Sequence, residues 1–171
     1  RMQRLIDKLL ELARLEKMPQ LEHVELLSVE DILETIVESS AARLSMKHVK
    51  CELNAVEGIN ILGNRFLLQQ ALFNLMDNAL DFVSENGVIS WKAHIKDSQI
   101  AISVFDQGPH IPDYALERLT ERFYSLPREN GVKSTGLGLN FVEQIMQLHD
   151  GQLKIDNVEN GVKVTLYLRT P

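Results

Sequence analysis

GVISWKAHIKDSQIAISVFDQG, residues 87–108, carries two runs in which apolar and polar residues alternate, 87–96 and 99–106, joined at Asp97-Ser98. Side chains with a period of two belong to half-buried strands, and two strands this close in sequence pair as neighbours. The same pairing returns at the end of the chain, where 151–157 and 161–169 form a hairpin turned by Glu159-Asn160-Gly161. Between the two pairs lies a long connection, 107–135, with one short helix predicted near 112–121, and then a helix over 137–149. Upstream, 64–84 reads as a long helix with Leu68, Leu72, Leu75 and Ala79 inward, preceded by strands at 49–56 and 60–62. A helix over 29–46 is led by Ser28 as its N-cap. Strands that come in adjacent pairs, with the helices set apart, predict an α+β two-layer sandwich with an antiparallel or mixed sheet rather than a doubly wound parallel one.

The amino-terminal part stands apart. Residues 1–17 place Met2, Leu5, Ile6, Leu9, Leu12 and Ala13 on one helical face. Pro19 ends that helix, and 18–28 reads as a linker to a domain over 29–171. The face suits either an ordinary amphipathic helix or the tail of a dimerising helical hairpin. Because the chain begins inside a helical pattern, it is expected to be a piece of a longer protein.

A hydrophobic fraction of 44% in 171 residues is enough for a sizeable core. A formal net charge of −6 argues against nucleic acid, whose phosphates demand clustered Lys and Arg. Cys51 is the only cysteine, so no disulfide forms within the chain.

Asn74 and Asn78 are four apart, on one face of the 64–84 helix. Asn is a mediocre helix former, so the pair is either solvated or a set of neutral ligands. A carboxamide oxygen coordinates Mg²⁺ without adding negative charge beside a triphosphate. Asp106 ends a strand ahead of Gln107-Gly108. It is either a turn residue or an acceptor for a base amine, in which case it favours adenine over guanine and Gly108 lets backbone approach the ring. Ser134-Thr135-Gly136-Leu137-Gly138-Leu139 opens a helix, as an ordinary turn or as a phosphate seat made by free N–H groups and the helix dipole. The 107–135 connection is of a length typical of lids, with Phe123 and Tyr124 as candidate anchors.

In this order the motifs resemble the HATPase domain of sensor histidine kinases, whose Bergerat fold is shared with DNA gyrase B, Hsp90 and MutL. The N box is similar to Asn74–Phe82, the G1 box to Asp106–Ile111, the F box to Arg122-Phe123-Tyr124 and the G2 box to Gly136–Leu139. Arg1–Glu16 and Phe123-Tyr124-Ser125-Leu126-Pro127-Arg128 are similar to CreC-type sensor kinases, and the first of these to the end of the second helix of the dimerisation and phosphotransfer hairpin. The resemblance implies ATP and Mg²⁺ as ligands, with Asn78 on the metal, Asn74 on the phosphate side and Asp106 on the adenine amine. Gly108 and Phe82 would lie beside the base. Ile111, Phe123, Lys133, Thr135, Gly136, Leu137, Gly138 and Leu139 would complete the nucleotide site beneath a lid over 107–135. It further implies a homodimer in the full-length protein, transfer of the γ-phosphoryl to a histidine upstream of Arg1, relay to a CreB-like response regulator, and a place in the cytoplasmic portion of an inner-membrane sensor.

Where ATPases of this fold carry a water-activating Glu, this chain has Asn74, which cannot act as a general base, so hydrolysis is expected to be slow. The chain departs from the family at Pro109 and His110, where a G1 glycine is replaced and a bulky ring added. It departs again at Asp81, where a Lys or Arg is usual, and at Ser125 in place of the F-box Arg. Arg122, Arg128 and Lys133 are candidate replacements for that Arg. None of the five histidines (23, 48, 94, 110, 149) lies in a phosphoacceptor setting, so this chain alone is not expected to autophosphorylate. Two competing readings are a degenerate, weakly nucleotide-binding signalling module and a serine kinase of the same fold.

Overall fold

The computed structural model describes residues 2–127 and 136–171. In chain order the elements are α1 (Met2–Lys17), β1 (Val24–Ser28), α2 (Val29–Ser39), α3 (Ala41–Met46), β2 (Lys50–Asn54), β3 (Asn60–Asn64), α4 (Arg65–Phe82), β4 (Val88–Lys96), β5 (Gln99–Asp106), α5 (Asp113–Leu116), α6 (Gly138–Leu148), β6 (Gln152–Val158) and β7 (Gly161–Arg169). A five-stranded sheet in the order β2-β4-β5-β7-β6 forms one layer, with β2 parallel to β4 and the other pairs antiparallel. α4 packs on β5 and between α2 and α6, and α6 packs on β6. This is the expected α+β sandwich, with a mixed sheet.

The hairpin at 97–98 forms because both turn residues accept left-handed backbone, with φ of 52° at Asp97 and 63° at Ser98. Such a turn matches the twist of its strands. The inward rows then follow from the register. Trp91 faces Val104 and Val164, Ala93 faces Ile102 and Leu166, and Ile89 faces Asp106, which pairs onward with Val162. Asp106 thus occupies a core position of the sheet at the end of a row of apolar side chains.

The predicted helix over 29–46 is in fact α2 and α3, broken at Ser40. Ser39 Oγ donates to the Ile36 carbonyl at 2.9 Å, and the Ser40 N–H is shared between Ile36 and Val37. Adjacent serines compete for the helix's own acceptors, which bends or ends it. Ser28 does cap α2, accepting from the Asp31 N–H at 3.2 Å. The segment 18–28 is more than a connection, since its last five residues are β1, zipped antiparallel to β3 in a separate two-stranded sheet. The expected helix near 112–121 shrinks to the four residues of α5. The face assigned to α1 divides: Leu12 is buried and Leu5 and Leu9 pack on the core, while Met2, Ile6 and Ala13 are exposed. Leu15 takes the place of those three in the packed face.

Asn64 joins several of these pieces. Its Oδ1 caps α4 through the Leu67 N–H at 3.0 Å, and its Nδ2 donates to the Glu22 carbonyl at 2.9 Å. Its backbone N–H donates to Nε2 of His149 at 3.1 Å. His149 therefore keeps an unprotonated Nε2, and burial pushes its pKa below the usual imidazole value.

Candidate functional site

The last turns of α4, the ends of β5 and β7, and the segment after β5 enclose a cavity of about 380 Å³. Asn78, Asp81 and Phe82 line it from α4, and Val104, Asp106, Val162 and Val164 from the sheet. Pro109, His110, Ile111 and Pro112 form one wall, and Tyr124–Pro127 lie over the space. Gly136, Gly138 and Leu139 stand at its far end. Asn78, Asp106 and the Gly136–Gly138 turn, expected from their order to form one pocket, thus meet at one place.

The Asp106 carboxylate is 7% exposed, and its Oδ1 has no hydrogen-bond partner within the described protein. Burial raises its pKa to about 7, against the opposing charge of Lys47. A buried, unpaired acceptor that costs stability in a core row is what a site awaiting a donor looks like.

Gly108 does not line the cavity. A Cβ there would stand 2.3 Å from the Phe82 carbonyl oxygen, so the glycine is needed for the approach of two backbones rather than of a backbone and a ring. The same seam is closed by the Ser84 N–H on the Gln107 carbonyl at 2.9 Å. Beyond it, Asn157 of β6 clasps Ile111 twice at 2.8 Å, accepting from its N–H and donating to its carbonyl. His110 Nε2 pairs with the Val158 carbonyl at 2.7 Å. The bulky residue of the sequence therefore serves as a fastener for the cavity wall.

Gly136 has φ +74°, and a Cβ there would meet the Phe123 backbone at 2.5 Å, where the Phe123 N–H donates to the Gly136 carbonyl at 3.0 Å. Both features require glycine. α6 begins two residues later with no side-chain cap, leaving its first N–H groups to be satisfied from outside. Leu137 is buried beneath them.

Other expected site residues fall elsewhere. Asn74 does not share the cavity with Asn78. It lines a separate recess of about 40 Å³ with Lys8, Glu11 and Leu12 of α1, Gln70, Leu137, Gly138 and Phe141. Four residues of helix carry it about 6 Å along the axis, under α1. Gly138 borders both spaces. Phe123 is 60% exposed and absent from the lining. Tyr124, like Tyr114, lines the cavity, and the Arg118 guanidinium stacks on the Tyr124 ring at 4.4 Å. Arg122 pairs with Glu16 of α1 rather than facing the cavity. Arg128, Lys133, Ser134 and Thr135 lie outside the described residues. Asp81 lines the cavity as a carboxylate, but Arg43 of α3 bonds it at 3.2 Å and bonds Asp77 at 2.6 Å. Arg43, Lys47 and Asn157 had no motif to announce them.

Residues 63–171 match the family described as histidine kinase-, DNA gyrase B-, and HSP90-like ATPase. The chain belongs to this family. Within it, the sensor protein CreC of Escherichia coli (strain K12) is 40% identical over 161 residues, 94% of this chain and 34% of that relative. The chain spans about a third of the length of the curated sensor proteins it matches. Two solved histidine kinases share the fold. One is full-length ShkA in complex with AMPPNP, with a TM-score of 0.83 at 24% identity, covering 98% of this chain and 36% of that one. The other is ThkA in complex with the response regulator TrrA, with a TM-score of 0.81 at 22% identity, covering 99% and 48%. In this histidine kinase-like ATPase domain, no helix among the described residues is long and apolar enough to cross a membrane.

Proposed function

We propose that the chain is the ATP-binding catalytic domain of a two-component sensor histidine kinase. It presents Mg-ATP so that the γ-phosphoryl passes to a histidine on a dimerisation and phosphotransfer hairpin of the same protein, and from there to an aspartate of a CreB-like response regulator. The observation that carries this reading is the buried Asp106 carboxylate at the floor of the cavity, whose Oδ1 has no hydrogen-bond partner within the described protein. An ionised carboxylate only accepts, so it selects the adenine amine over a guanine carbonyl. Phe82 and Ile111 flank the base, and the α6 N-terminus with Gly136 and Gly138 receives the phosphates. The similarity to CreC and the fold shared with AMPPNP-bound ShkA support it.

Asn78 fits the requirement for Mg²⁺: one neutral oxygen on the cavity side of α4, with water and phosphate oxygens filling the other positions. The ion would draw off charge from the β- and γ-phosphates. Asn74 holds no proton-accepting group, and α1 stands over it, so the domain is built to keep the γ-phosphoryl from water. Phosphoryl transfer needs mainly positioning and charge neutralisation, which this half-site supplies. The TrrA complex of ThkA supports the onward relay. In the whole protein the domain would work within a homodimer, in the cytoplasmic portion of an inner-membrane sensor.

Titration with ADP and AMPPNP, with and without Mg²⁺, tests the first half. No binding at millimolar nucleotide by the folded domain refutes it. Mixing with a separately made hairpin and radiolabelled ATP tests the second half: label is expected on histidine, and label on serine would assign a different kinase.

The wall clasp gives a further expectation. His110→Gly removes the bond to Val158 and adds backbone freedom, together worth about 1–2 kcal/mol. Calorimetric ADP affinity should fall by roughly three- to tenfold. A gain would show that the imidazole crowds the base instead.

A further inference from the structure

Lys47, the C-cap of α3, lies outside the cavity. Its Nζ donates to the carbonyls of Leu80 and Val83, each at 2.8 Å. These belong to the last turn of α4, where helix carbonyls run out of partners and the dipole is negative. Phe82 is on that turn. It lines the cavity, and its carbonyl is the surface against which Gly108 is pressed. The Lys47 carbonyl in turn accepts from the Asn86 N–H at 3.1 Å, just beyond the Ser84–Gln107 bond. One ammonium group therefore secures the turn that touches the base position on one side and residues 107–108 on the other.

We propose that Lys47 is the positioning residue for the base end of the nucleotide site. It locks the last turn of α4 against residues 106–108 and sets a positive charge near Asp106, favouring the ionised form of that carboxylate toward an exocyclic amine. The proposal rests on the adenine reading of Asp106. Lys47 aside, the titratable groups Asp81 and His110 line the cavity with the carboxylate. Lys47 is behind α4, Asp81 is on the α4 side of the cavity and already bonded by Arg43, and His110 is on the outer wall. The flanking strand positions, Ile89 and Val162, carry no charge. Lys47 is the group whose charge opposes the burial of Asp106.

The test compares wild type with Lys47→Gln, which retains a hydrogen-bond donor but no charge, and Lys47→Arg, which retains both. The Asp106 carboxyl is followed by carbon NMR against pH in the free domain, and ADP affinity is measured over the same range. In Lys47→Gln the Asp106 midpoint should rise by about one unit, and ADP affinity at pH 7 should fall roughly fivefold. The loss should shrink toward pH 9, where the carboxylate is ionised in every variant. Lys47→Arg should stay within about twofold of wild type. A purely structural role would lower affinity equally at all pH values and leave the midpoint in place, and that result overturns the proposal. So does a shifted midpoint with unchanged ADP affinity. Wild-type affinity that ignores pH, or Asp106→Asn binding ADP like wild type, refutes the adenine reading itself and the proposal with it. The carboxyl titration, which needs no nucleotide, tells the two failures apart. Should Lys47→Gln fail to fold, Lys47→Met provides the second charge-free variant.

Discussion

Asp106→Asn is expected to weaken ADP and ATP binding by about ten- to a hundredfold while making the free domain more stable at pH 8. The loss follows from replacing an ionised acceptor, whose hydrogen bonds are worth about 1.5–3 kcal/mol, by an amide whose nitrogen can face the adenine amine. The gain follows from linkage. The Asp106 pKa is raised from 3.8 to about 7, so between these values the native state holds a proton that the unfolded state has released. Stability therefore falls as pH rises through that window, and the full penalty is present above about pH 7. An amide does not titrate, so Asp106→Asn should escape a penalty on the order of 4 kcal/mol, and its stability should lack the wild type's decline between pH 4 and 7. Calorimetric titration with ADP and thermal melts across pH 5–9 check both. Unchanged affinity would reject the adenine role, and an unchanged melting profile would show that the carboxylate is not buried as described.

Gly108→Ala is expected to remove nucleotide binding, by more than about tenfold, while the domain still folds at a lower melting temperature. The added Cβ would lie 2.3 Å from the Phe82 carbonyl oxygen and 3.1 Å from Asp106 Oδ1. The first is backbone and cannot swing aside, so either the end of α4 or residues 107–109 must move, at a cost of about 1–3 kcal/mol. Pro109 follows immediately and limits how the segment adjusts. Whichever side yields, Phe82 and Asp106 lose their spacing. Circular dichroism and melting would report folding, and calorimetry binding. Wild-type affinity in Gly108→Ala would mean that the seam between α4 and β5 is not rigid.

The strands β4 through β7, α4, α6 and the meeting of Asn78, Asp106 and the glycine turn were legible because each has a local cause: a period, a two-residue turn, a glycine at a required φ. What escaped reading depends on partners far along the chain. β1 is a mostly exposed run of five residues that becomes a strand only beside β3. Lys47 acts on carbonyls 33 and 36 residues away, and Asn157 on a backbone 46 residues back. Asn74 shares a helical face with Asn78, yet a helical wheel cannot know that α1 will lie over one of them. His110 looked like an intruder because its acceptor, the Val158 carbonyl, has no signature in sequence.

The floor of the cavity is joined to the protein by a continuous ladder of bonds, and its roof by a few isolated ones. Asp106 is built into a ladder shared by β4, β5 and β7. The cover is held by a few isolated bonds, the Phe123 N–H on the Gly136 carbonyl, Asn140 on the Thr120 carbonyl and Arg122 on Glu16. Loading and unloading can then proceed like a hatch on a hull. The latches are cheap and separable, and undoing them leaves the frame's joinery untouched. Under the proposed function, exchange of ADP for ATP would draw on this division, since the strand ladder that carries Asp106 stays in place.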